Sequence, residues 1–179
     1  MKRNLVYLLM LVCSVTLFTG CSDDDDDKVN PFGTYAGTLD VVLTTLGDEP
    51  IPFQSSESVQ LIKGSSDTNF SFLLKNLILN PGADGAMPIG HINIDNIDLV
   101  LVKDGEYTFT KKISNLTIAA GDKAGIDKDG WMGPTLGVLY PAGIPVELEG
   151  TIKGNKVTVN LKIVLEDMMD IAVKFAGTK

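Results

Sequence analysis

Reactive and metal-binding side chains are scarce in this chain: two Cys, one His and one Trp in 179 residues, with only 7% aromatic. Cys13 lies inside an N-terminal apolar run and Cys21 stands at its end. Everything downstream therefore lacks a disulfide, a thiol nucleophile and a Cys metal ligand. With His91 the only imidazole, a zinc or copper site is not expected. A Ser–His nucleophile pair would have to use that same residue, which sits between Gly90 and Ile92 with no acid or serine beside it. No metal, cofactor or catalytic residue is expected, and the chain is not expected to be an enzyme. Basic residues are also few: 15 Lys and Arg against 23 Asp and Glu give a net charge of −8. Nucleic acid needs a clustered cationic surface, so it is excluded as a partner. No phosphate-binding loop or dinucleotide fingerprint occurs. What remains is a chain of 44% apolar residues. That is too apolar for disorder and long enough for one domain.

The N-terminus is an address. Lys2 and Arg3 precede the apolar run Leu5 to Phe18, which is shorter than the roughly 20 residues of a membrane span. Thr19 and Gly20 then lead to Cys21. This is a signal-peptide pattern. Removal of residues 1–20 takes away Lys2 and Arg3 and moves the charge from −8 to −10. Ser22 and five consecutive aspartates, Asp23 to Asp27, follow. Side-by-side like charges repel and stay solvated, so they predict an extended tether. The expected organisation is a signal peptide over 1–20, Cys21 with an acidic tether over 21–30, and a folded domain over 31–179.

Within that domain the side-chain period is two, not 3.6. Tyr35, Leu39, Val41 and Leu43 mark a first strand, and Val59 and Leu61 a second. Phe70, Phe72, Leu74 and Ile78 mark a third. Ile92, Ile94, Ile97, Leu99 and Leu101 mark a fourth, whose phase slips at Asp95-Asn96 as a β-bulge would make it. Tyr107, Phe109 and Ile113 mark a fifth, slipping again before Leu116 and Ile118. Gly154-Asn155 is a two-residue hairpin loop between two alternating runs, which predicts Ile152 opposite Val157 and Glu147 opposite Lys162. A turn over Glu166 to Asp170 leads to a last strand, predicted to set Leu165 opposite Ile171. Eight strands in sequence leave raw edges unless the first pairs with the last. The expected fold is all-β: an eight-stranded antiparallel up-and-down barrel with one long Gly-rich loop over 119–145. A two-sheet sandwich is the competing arrangement. Thr135 to Tyr140 would add a short strand in the loop.

Three resemblances sharpen this. Leu17-Phe18-Thr19-Gly20-Cys21 resembles the lipobox of bacterial lipoproteins, which implies acylation of Cys21 and a membrane anchor. The acidic run behind it resembles the surface-export signal of Bacteroidota lipoproteins, which implies an outer-membrane lipoprotein facing outward. Gly33-Thr34-Tyr35-Ala36-Gly37-Thr38-Leu39 and Val173-Lys174-Phe175-Ala176-Gly177-Thr178-Lys179 resemble the calycin-like, lipocalin-related β-barrel lipoproteins of Bacteroidota. Lipocalins open on Gly-x-Trp where Tyr35 stands here, so their ligands are not carried over.

An eight-stranded barrel is either filled by side chains or holds one small ligand. The expected function is non-enzymatic binding of a small apolar or amphipathic molecule, or a glycan, in the cup or on its loops. The alternative is a filled barrel that meets a partner protein through the 119–145 loop. Candidate contact residues are Trp131, Met132 and Tyr140 on that loop, and Met168 and Met169 in the last turn. The competing role for all five is to plug one end of the barrel. Asp95 with Asp98 is weighed as a glycosidase-type carboxylate pair, and Asp122, Asp127 and Asp129 as a calcium loop. The first pair is expected instead to flank the bulge and stay solvated, and the second group misses the Asp-x-Asp-x-Asp-Gly frame.

Overall fold

A computed structural model describes residues 29–45, 48–79, 85–165 and 169–179. Cys21, the aspartate run and Met168 lie outside the described residues. The strands are β1 (Gly33–Thr45), β2 (Ile51–Lys63), β3 (Asn69–Leu79), β4 (Met87–Lys103) and β5 (Glu106–Leu116). A 3₁₀ turn (Lys128–Gly130) and helix α1 (Met132–Leu139) interrupt the connection to β6 (Ile144–Lys153), β7 (Lys156–Leu165) and β8 (Met169–Thr178). Each strand pairs antiparallel with the next, and β8 pairs with β1 through Leu39 opposite Phe175 and Val41 opposite Val173. The sheet is a closed eight-stranded barrel, so no sandwich forms.

Most of the expected register holds. Ile152 faces Val157, Gly150 faces Val159 and Thr151 faces Thr158. Glu147 faces Lys162, yet its short ion pair runs the other way, to Lys112 of β5 at 2.6 Å. The β4 slip is a bulge: Phe70 faces Ile97 and Phe72 faces Ile94, with Asn96 in the left-handed region at φ 57°. The β7–β8 pairing differs from expectation. Ile163, not Leu165, lies opposite Ile171, and Leu165 faces Met169. The turn is two residues tighter than drawn from the sequence. A two-residue slide keeps every side chain on its own face, so alternation could not detect it.

The expected strand over Thr135 to Tyr140 is instead part of α1. Pro134 occupies the third helical position, where the missing N–H would have had no partner anyway, and a strand would lose a ladder bond there. The third strand also departs from its expected phase. A bulge at Lys75-Asn76, with Asn76 at φ 54°, turns Leu77 and Leu79 inward in place of Ile78 alone.

The interior is packed. Inward side chains from all eight strands form one hydrophobic cluster, none more than 9% exposed. At the inward glycines Gly150 and Gly177 an aromatic ring fills the space. Gly150 faces Phe109, and a Cβ at 150 would lie 2.8 Å from that ring's Cε2 and 2.5 Å from Thr158 O. Phe109 in turn meets Phe70 edge-on, centroids 5.1 Å apart at 81°. Each fully buried Leu, Ile, Val or Phe contributes about 1.5–3 kcal/mol. With no disulfide after Cys21, this packing carries the fold.

The two ends differ. At one, the chain enters and leaves: Tyr35 OH donates to Pro31 O at 2.8 Å, and Lys179 Nζ donates to Asn30 O and Phe32 O. The same ammonium lies over the Tyr35 ring, 5.3 Å from its centroid. At the other end the 117–143 connection folds across the opening. His91 N donates to Ala119 O at 2.9 Å, and Leu136 of α1 joins the core cluster. This fills the gap between β4 and β5, whose pairing begins only at Leu99 opposite Phe109.

Candidate functional site

A second gap stays open. β2 pairs with β1 along its whole length, but with β3 only from Val59 opposite Leu74 to Lys63 opposite Phe70. From Ile51 to Ser58 it leaves β3. Two features of sequence part the strands. The alternation Phe53, Ser55, Glu57, Val59, Leu61 puts two polar side chains at inward positions, and polar groups without partners resist burial in a core. Across from them, the Lys75-Asn76 bulge bends β3 away.

The result is a cleft of about 800 Å³ in the barrel wall. Thr38, Ser56, Ser58, Gln60 and Asn76 give it hydroxyls and amides, and Glu57, Lys75 and Lys123 give it charge. Among the described residues no aromatic side chain lines it. Burial pushes the Glu57 carboxyl above its ordinary value, against the smaller pull of the neighbouring Ser55 hydroxyl and Lys123. Ser55 Oγ is itself buried without a hydrogen-bond partner among the described residues.

The far bank of the cleft is held by a polar latch. Asn76 and Asp122 bond reciprocally: Asn76 Nδ2 donates to Asp122 Oδ1 at 2.8 Å, and Asp122 N donates to Asn76 Oδ1 at 2.8 Å. This ties the long connection to the β3 bulge and places Lys123 over the cleft. The Asn76 hydrogen bond, helped by His91 and Lys75, holds the Asp122 carboxyl below its usual range. His91 is part of the latch. Its Nδ1 accepts from Asn76 N at 3.1 Å, so the neutral ring carries its proton on Nε2, 3.8 Å from Asp122 Oδ1. The grouping resembles a His–Asp pair, but the nitrogen facing the acid is the protonated one and the other is already engaged. Neither serves as a general base.

Of the sequence candidates, Trp131 is buried at 2% exposure, its ring edge against the Gly121 position. Its Nε1 has no partner among the described residues. Met132, Tyr140 and Met169 are half-buried and pack on the core cluster. None of the four lines the cleft. Asp95 and Asp98 stay apart in role, Asp95 accepting from Asn93 and Asp98 from Asn69. Glu147 and Glu149 line a depression of about 600 Å³ on the outer face of β5–β8 and β1. Glu57, Lys75, Asn76 and Lys123 were not singled out from the sequence. A signal for Glu57 existed, in the two polar residues at inward phase in strand two.

The structure is a closed, core-filled antiparallel barrel with a polar recess in its wall. Residues 32–178 match the calycin-like beta-barrel domain, and the chain belongs to that family, in general a non-enzymatic binding fold. A crystal structure from Bacteroides fragilis, of a protein provisionally named an outer membrane protein, is similar at 16% identity and a TM-score of 0.49. The likeness covers 83% of this chain and 50% of that one, so this chain spans about half its length. No curated protein matches the chain.

Proposed function

We propose that the protein is a non-enzymatic binding module, held at the outer membrane by acylated Cys21 and facing outward, that takes a small hydrophilic ligand in the wall cleft. The observation that carries this is the cleft itself, about 800 Å³ beside a core already filled by side chains. Small-ligand sites commonly measure about 300–1,000 Å³. Hydroxyls, amides and charges of both signs suit a polyhydroxylated or zwitterionic molecule, such as a short glycan, better than an apolar one. The Glu57 carboxylate offers acceptors to the cleft, and a donor-rich ligand would satisfy them.

Native mass spectrometry of the mature chain, made unacylated by Cys21→Ser and purified from its host, tests this. A retained small molecule is expected, and Ser58→Trp, which fills the cleft from its exposed rim, should abolish it. A ligand that survives Ser58→Trp, or none at all, would refute the proposal. The partner-protein reading draws on Val138 and Leu139 of α1, exposed at 79% and 56%. It predicts a macromolecular adduct lost on Val138→Asp and not on Ser58→Trp.

A further inference from the structure

The end of the barrel where the chain enters carries an apolar tip, three consecutive exposed aliphatics on one strand. β4 outruns β3, whose first residue Asn69 faces Asp98. Beyond that point Val100, Leu101 and Val102 are exposed at 60%, 58% and 56%. In the inner part of β4 alternate residues are buried, so three consecutive exposed aliphatics mark a break in the pattern. They lead to the turn at Asp104-Gly105. Three consecutive exposed apolar residues on a soluble barrel need a reason.

Two observations say what covers them. First, the tip and the tether lie together. The Val29 side chain packs against Gly105, the first described residue of the chain touching the tip of the β4–β5 hairpin. Seven residues, Ser22 to Lys28, lie between Cys21 and Val29, which makes eight backbone steps. Even fully extended they span about 28 Å. An acyl chain on Cys21 therefore holds this end within about that reach of the bilayer.

Second, the tip carries charges of both signs with lysine in slight excess: Lys103 pairs with Glu106 at 3.1 Å, Lys153 lies opposite Glu106, and Asp104 sits in the turn. Lys103 adjoins the triplet. Lys153 and Lys156 face each other across the next turn, which is bonded to the tip through Gly154 N to Gly105 O at 2.9 Å. Like charges directly opposite on paired strands repel. Glu106 on β5 offsets Lys153 in part, and an anionic headgroup would offset the charge of Lys156. Apolar residues at a tip with lysines around it are the composition of an interfacial membrane contact. The tether's aspartates oppose the attraction of the lysines, so the aliphatic triplet must carry the contact and the lysines orient it.

We infer that the β4–β5 tip, Val100 to Val102, rests in the headgroup layer of the anchoring membrane, so that the barrel stands on it with the α1 end outward. The inference rests on the acyl anchor proposed above. The test uses the full acylated chain in vesicles of phosphatidylethanolamine and phosphatidylglycerol doped with brominated phosphatidylcholine. A polarity-sensitive fluorophore is placed by Val102→Cys or, at the opposite end, by Val138→Cys. The label at 102 is expected to shift to the blue and lose most of its emission to the brominated lipid, while the label at 138 keeps the emission it has in water. Val100→Asp together with Leu101→Asp, both at exposed positions, should return the 102 label to its aqueous spectrum. Equal spectra at 102 and 138 on vesicle-bound protein would overturn this inference and leave the anchor standing. A chain whose Cys21 has the mass of a free thiol, and which does not float with vesicles, would overturn the anchor and this inference together.

Discussion

Substituting alanine at Gly150 tests whether the barrel is filled. The added Cβ would lie 2.8 Å from Phe109 Cε2 and 2.5 Å from Thr158 O, where carbon contacts settle near 3.5–4.0 Å. The ring can turn only by disturbing its edge-on contact with Phe70. Thr158 O belongs to a backbone paired with β6, and Thr158 lies opposite Thr151 in that ladder. Overpacking of a close-packed core costs about 1–3 kcal/mol, and a backbone obstacle places this case at the upper end. For a domain of this size, about 3 kcal/mol lowers Tm by roughly 6–12 °C. Urea and thermal unfolding of the unacylated mature chain would measure it. In a Phe109→Leu background the same substitution should cost less by about 1 kcal/mol, because the ring obstacle is gone and the carbonyl remains. If Gly150→Ala shifts stability by less than about 0.5 kcal/mol in both backgrounds, the space opposite Phe109 is empty and the interior could hold a ligand.

Three further outcomes follow from the wall and its latch. Gly121→Ala should drive the ring of Trp131 from its site, since the position also abuts Asn76 Oδ1; emission of this sole tryptophan should move to the red while far-UV circular dichroism of the barrel is kept, and an unchanged spectrum would show that the ring does not pack there. Asn76→Gly keeps a residue suited to φ 54° but removes both bonds to Asp122, so amide exchange at Asp122 should accelerate with little change in global stability; unaltered exchange would deny the latch. Glu57→Gln should raise stability at neutral pH by less than about 1 kcal/mol, the group being only partly buried. The sign follows from its raised pKa in the folded state. The folded protein binds the proton more tightly, so wild-type stability falls as pH rises from the ordinary carboxylate range to Glu57's raised value, and the loss persists above it. Urea midpoints should therefore converge between wild type and variant in acid and separate at neutral pH, and the reverse trend would contradict an inward Glu57.

The barrel was legible because its signal is repetitive. Residues 144–165 alternate without a break around Gly154-Asn155, and a two-residue loop leaves one register that keeps Leu148 against Leu161. Closure was legible by elimination, since eight strands in series have two raw edges. The β7–β8 register was not, because a slide by two residues preserves the inward set of Ile163, Leu165, Ile171 and Val173. Helix α1 hid in a glycine-rich stretch of only eight helical residues, too short to show a period. The cleft was hidden for another reason. Ser55 and Glu57 sit at inward phase on β2, which reads as a weak strand until their polarity is seen to hold β2 and β3 apart. Asn76 and Asp122 meet across 46 positions, and no local pattern encodes that pairing.

The most direct test of a filled barrel with its binding site in the wall is amide chemical-shift mapping of the labelled, unacylated mature chain titrated with small-molecule extract from its host. Shifts are predicted at Ser56 to Gln60, Lys75, Asn76 and Lys123, with the ladder around Leu148, Gly150 and Leu161 unmoved. Shifts centred on Phe109, Leu148 and Leu161, with the β2 and β3 amides still, would place the ligand inside the barrel and contradict the account.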